Sequence, residues 1–153
     1  YGLRHAISAL EQVPEVDGRE IWLMGHSRRG KAALWATALD ARVAGVWAHQ
    51  SGTGGAPLTR GTTGETVGMI TGLFPHWFGE HFALAAPRPV VVRDGSGDGW
   101  ANPPGGAESV QLATPVFALL GAPDGRVVHT MREGGHAVQD DDWEAFLAFA
   151  ATH

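Results

Sequence analysis

Apolar positions along the chain fall into short blocks that alternate between a helical period and continuous runs. Leu3, Ile7 and Leu10 recur at helical spacing, which predicts a helix over residues 3–12. Pro14, Asp17 and Gly18 break it. Residues 20–24 are a continuous apolar run, the pattern of a strand buried on both faces. The alanine-rich stretch from Arg28 to Leu39 favours helix. Val43 to His49 is a second strand, and Val90 to Arg93, opened by Pro89, is a third. Val127 to Met131 is a fourth. Between them the pattern predicts a turn or two of helix over 64–72, a short helix near 79–86 and a longer one from about Gly106 to Leu120. After Asp140 a final helix takes its apolar face from Trp143, Phe146, Leu147 and Ala150. Asp140, Asp141 and Asp142 stand at its start, where the helix dipole favours acid.

Helix and strand alternate along the chain, which argues for one α/β domain over residues 1–153, a parallel sheet with flanking helices. The polar, glycine-rich segment from Gln50 to about Thr63 has no apolar period, and a loop of that length in a compact domain is usually functional. A net charge of −5 without a basic run argues against nucleic acid as a partner. No stretch of about 18 apolar residues predicts a membrane span. The absence of cysteine removes disulfides and thiolate metal sites. His76 and His81 lack the helical spacing and the third ligand of a metal pair, and nothing calls for a cofactor. Of 11 basic residues only Lys31 is lysine. The chain opens on Tyr1, directly into a helical pattern, which reads as a fragment or processed piece.

Sites in open α/β sheets lie at the carboxyl ends of the strands. The first strand delivers Ser27, in a glycine-flanked turn that leads into a helix. The second delivers His49, Gln50 and Ser51, the third Asp94 and Asp98, the fourth Glu133 and His136. Taken singly, Ser27 is an ordinary N-cap, and Asp94 and Asp98 are ordinary turn formers. Together they give nucleophile, acid and base in the chain order of α/β-hydrolases. His136 would take the Ser27 proton, Asp98 would fix the imidazole tautomer, and N–H groups near Arg28 would hold the oxyanion.

The usual elbow is Gly-x-Ser-x-Gly; here Gly25-His26-Ser27-Arg28-Arg29-Gly30 sets the second glycine one position later. Gly-x-Ser-Arg-x-Gly-Lys resembles the nucleophile motif of the glucuronoyl esterases, carbohydrate esterase family 15, and of its bacterial acetylxylan-esterase-like branch. Ser51-Gly52-Thr53-Gly54-Gly55-Ala56, Phe74-Pro75-His76-Trp77-Phe78, Ala86-Pro87-Arg88-Pro89 and Asp98-Gly99-Trp100-Ala101-Asn102-Pro103 are similar to segments of that family, as is Gly134-Gly135-His136 before the last helix. The resemblance implies the C-terminal half of an α/β-hydrolase fold and a secreted or periplasmic serine esterase. Its substrate would be a carbohydrate ester, in which glucuronic acid of xylan is joined to lignin alcohols. It matches Ser27 to the nucleophile, His136 to the base and Arg28 to an oxyanion-stabilising arginine. Lys31 and Glu65 would bond sugar hydroxyls, and Trp100 would pack against the sugar.

Three departures qualify that reading. Many members carry the triad acid just before the Ser-Gly-x-Gly-Gly loop, where this chain has Gln50. An acid after the next strand is the other arrangement, and Asp98 fits it, with Asp94 the lesser candidate. The segment between Phe78 and Ala86 is shorter than the family's by about 15 to 20 residues, which alters the pocket floor. The family's catalytic domain is also more than twice this length. Two other readings compete: an esterase of acetylxylan or another small ester, and a non-catalytic hydrolase half.

Overall fold

The computed structural model describes residues 2–54 and 74–153, with the side chains of 74–79 left aside. The chain runs α1 (Gly2–Leu10), β1 (Trp22–His26), α2 (Arg28–Leu39), β2 (Gly45–His49), α3 (Phe74–Ala85), β3 (Val90–Gly95), α4 (Pro103–Leu119), β4 (Val127–Arg132) and α5 (Asp140–Ala150). The four strands form one sheet in the order β1-β2-β3-β4, every neighbouring pair parallel. This is the parallel sheet with flanking helices that the alternation predicts.

Side chains alternate across the sheet, and the alternation sorts both the core and the polar residues. Val46, Ala48, Val90, Val92 and Val127 pack with Leu34 of α2, Phe82 of α3 and Phe117 of α4. Trp47 and Val91 pack on Phe146 of α5. Near the amino ends of β1 and β2, Ile7 of α1 meets Ile21 and Val43. On β3, Asp94 therefore shares a face with Val90 and Val92, toward α4, whereas Arg93 shares the face of Val91, toward α5.

Several boundaries differ from the sequence reading. The first strand runs through Gly25 and His26, and among the described residues it is an edge strand, only partly buried. Its apolar run gives its composition, not its place in the sheet. α3 begins at Phe74, so the aromatic segment and the short helix are one element. Pro75 stands in the first turn, where its missing N–H breaks no helical bond. α4 likewise starts on two prolines after Asn102. On α5 only Phe146 of the expected apolar face is buried; Trp143 and Leu147 are 50% and 62% exposed. Among the described residues, no helix is long and apolar enough to cross a membrane. The expected helical turn over 64–72, and Glu65 with it, lies outside the described residues.

Candidate active site

Ser27 sits between β1 and α2 with φ 57° and ψ −129°, a region that residues other than glycine rarely occupy. Its N–H donates to His49 O at 2.8 Å, tying the turn to the end of β2. It stands in the N-cap position, yet its hydroxyl makes no capping bond. The ordinary reason for a serine before a helix is therefore missing. The displaced glycine has a local cause. A Cβ at Gly30 would overlap Ser51 Oγ and the Gly25 carbonyl, so the first turn of α2 packs directly on the loop after β2. Arg28 and Arg29 are exposed in that first turn, where helical N–H groups lack intrahelical partners.

Asp98 and His136 meet. His136 Nδ1 lies 2.6 Å from Asp98 Oδ2, with the carboxylate side chain 1% and the imidazole 29% exposed. Asp98 is fixed by the Ala101 N–H, which donates to its carboxylate. Its turn is joined to the histidine loop by Gly97 N–H donating to Gly134 O at 2.9 Å. Asp94 is engaged elsewhere: its Oδ2 lies 3.0 Å from His129 Nε2, on the α4 face of the sheet. Asp94 lies within β3, with its side chain toward α4, whereas Asp98 stands in the turn beyond the strand, beside the histidine loop.

Lys31, one turn along α2 from Ser27, donates from Nζ to Ser51 O at 2.6 Å. Burial lowers its ammonium pKa below the usual value. Trp100 follows Asp98 in the turn before α4 and is 40% exposed. His81 packs its ring edge against Trp35. Among the described residues, no three His, Cys, Asp or Glu side chains converge as a metal cage.

Three features escape the sequence reading. The first is the pair of backbone bonds made by Gln50, an amide that can orient a histidine but cannot offset its charge. Its Nε2 donates to Gly135 O at 2.6 Å and its Oε1 accepts from Ala137 N–H at 2.9 Å. Those two backbone partners fix which end of the amide is which. His26 Nε2, 3.2 Å from Gln50 Oε1, therefore carries its proton. This is the second feature: the His26 ring lies 4.4 Å from that of His136. Burial first, and then the charge of His136, hold the His26 pKa below the usual histidine value.

The third is Asp142. The sequence places it in an acidic, dipole-favoured helix start. The structure buries it completely as an acceptor for Arg93 Nε at 2.7 Å and Arg132 Nε at 3.0 Å. The Gln139 N–H completes a capping box on it at 2.9 Å. Arg132 also donates to the carbonyls of Glu133 and Ala137, and His49 Nε2 donates to Ala137 O at 3.0 Å. One carboxylate thus ties β3, β4 and α5 to the loop that carries His136. A signal was present in the sequence: Arg93 follows three valines in a buried strand, and an arginine there needs a buried partner.

Burial alone would raise the Asp142 pKa. Bonds from Arg93, the Gln139 N–H and Arg132, with the charge of His49, outweigh it and hold it below the usual carboxylate range. Asp142→Ala should destabilise the fold by about 3–5 kcal/mol, because two arginines lose their buried acceptor. Denaturant unfolding measures this. The folded pKa lies below the unfolded one. The contribution is therefore complete above about pH 4 and is lost as pH falls through the folded value. Asp142→Asn should flatten the acid side of the stability profile.

A parallel sheet with a strained serine turn after β1, and a paired Asp and His after β3 and β4, has the arrangement of an α/β-hydrolase. The comparisons narrow the class. The family model described as glucuronyl esterase, fungi, matches residues 1–72. The carbohydrate esterase MZ0003, from an unknown prokaryotic organism, is 35% identical over 185 aligned positions, which take in all of this chain and 43% of that protein. The glucuronoyl esterase of Solibacter usitatus is 35% identical with a TM-score of 0.79, over 98% of this chain and 46% of that one. A promiscuous CE15 esterase from a marine bacterial metagenome is 31% identical with a TM-score of 0.83, over 99% and 46%. The chain is similar to glucuronoyl esterases of carbohydrate esterase family 15 and spans less than half the length of these relatives.

Proposed function

We propose that this chain carries the nucleophile, base, acid and sugar contacts of a serine esterase that cleaves 4-O-methyl-glucuronate esters of the kind that link lignin to xylan. The observation that carries the reading is the Asp98–His136 pair, 2.6 Å apart, presented from strand ends beside the Ser27 turn. The curated relatives support the substrate class, since one from Phanerochaete chrysosporium is named a 4-O-methyl-glucuronoyl methylesterase.

With Asp98 on Nδ1, the imidazole has Nε2 left to take the Ser27 proton. Ser27 Oγ attacks the uronate carbonyl, and the resulting oxyanion is held by N–H groups at the start of α2 and by Arg28. His136 returns the proton to the departing alcohol. Water then hydrolyses the acyl-enzyme by the same steps in reverse order. Asp98 stabilises the imidazolium at each step. Lys31, held by Ser51 O, and the exposed Trp100 ring supply the sugar contacts. Glu65 is a further hydroxyl partner in this reading.

A second reading, hydrolysis of acetyl or other small esters, is favoured by one relative's description as promiscuous. Hydrolysis of benzyl glucuronate and of nitrophenyl acetate by the full-length protein separates the two. Faster cleavage of the uronate supports the first reading, and faster cleavage of the acetate the second. A folded protein that a fluorophosphonate probe leaves unlabelled at Ser27 defeats both, and leaves a non-catalytic hydrolase half.

A further inference from the structure

The position that holds a triad acid in many family members holds an amide here, and its surroundings suit an amide. Gln50 is 1% exposed, at the end of β2, with φ 45°. Its amide donates to Gly135 O and accepts from Ala137 N–H, two groups that also bond each other at 3.0 Å and that flank His136 in sequence. Only a carboxamide offers both from one planar group; a carboxylate has no donor. The space is shaped for it as well. A Cβ at Gly95 would overlap both Gln50 Nε2 and Gly134 O, so the end of β3 is hollowed where the amide and the histidine loop meet. The same Oε1 accepts from His26, whose ring lies beside His136.

We propose that Gln50 is a positioning residue: its amide clamps the backbone on both sides of His136 and so sets where the imidazole lies relative to Ser27. It acts through the loop, while Asp98 holds the ring. Gln50 is then a functional amide rather than an acid site that has lost its charge.

The test uses Gln50→Glu and Gln50→Leu in the full-length protein. The kinetic arm rests on the esterase reading above. Gln50→Glu keeps the shape but turns the donor to Gly135 O into a repelling oxygen. It should lower kcat by about 10²-fold, the effect of a misplacement near 1 Å, with KM little changed. A merely structural loss would lower the folded fraction without such a split. The second arm is independent of catalysis: hydrogen exchange at the Ala137 amide should accelerate in Gln50→Leu and stay protected in the natural protein. A Gln50→Glu protein as fast as the parent, or faster, overturns the proposal, because it would mark the position as an acid site. Unchanged exchange at Ala137 in both variants overturns it too. Where the natural protein cleaves no ester, the esterase reading fails and the exchange arm still decides the clamp.

Discussion

Ser27→Ala should abolish ester hydrolysis, a loss of about 10⁶-fold in kcat, the scale seen when a triad nucleophile is removed. The fold should survive the change. The Ser27 hydroxyl makes no capping bond, so its removal leaves no helical N–H newly unpaired. Alanine inherits the same positive φ, and the strain of the turn is unchanged. In the proposed reading Lys31, Trp100 and Arg28 bind the substrate rather than the hydroxyl, so KM for the residual reaction should hold. Circular dichroism, turnover of a uronate ester and fluorophosphonate labelling report the three quantities separately. Near-parental turnover in a folded Ser27→Ala protein would remove the elbow from the mechanism.

The second large effect separates the two aspartates. Asp98→Asn should lower kcat by about 10⁴-fold. The asparagine amide can donate to His136 Nδ1, which moves the imidazole proton to Nε2, where the serine proton must arrive. It also leaves the imidazolium without its counter-charge. Asp94→Asn should change turnover little, because Asp94 faces α4 and pairs with His129 at 3.0 Å. Its cost should appear in stability. Equal losses from both substitutions would contradict the assignment of Asp98. Kinetics on the two purified variants, each with an unfolding curve, give the comparison.

The alternation of helix and strand was legible because continuous apolar runs and alanine-rich stretches have few other uses. Asp98 was preferred to Asp94 by resemblance to a family pattern. A physical reason for that preference is now visible: Asp94 lies within β3 and faces α4, whereas Asp98 stands in the turn past the strand end, where the histidine loop meets it. The edge position of β1 followed from the resemblance to a longer domain and not from its residues, since Ile21, Trp22, Leu23 and Met24 read alike in the middle of a sheet or at its edge. The role of Gln50 was hidden for a different reason. Apart from His26, its partners are backbone groups of residues 135 and 137, and backbone groups leave no mark in a sequence. Asp142 was visible as an acid but not as a buried one; Arg93 and Arg132, its partners, lie 49 and 10 residues away.

The Arg132–Asp142 tie also bears on how the protein fails when heated. Surface loops commonly open before the body of a fold, and catalysis is then lost first. The histidine loop is instead anchored to β3, β4 and α5 through one buried carboxylate. Thermal inactivation and the loss of secondary structure should superimpose in the natural protein. In Asp142→Asn the two curves should come apart, inactivation running ahead.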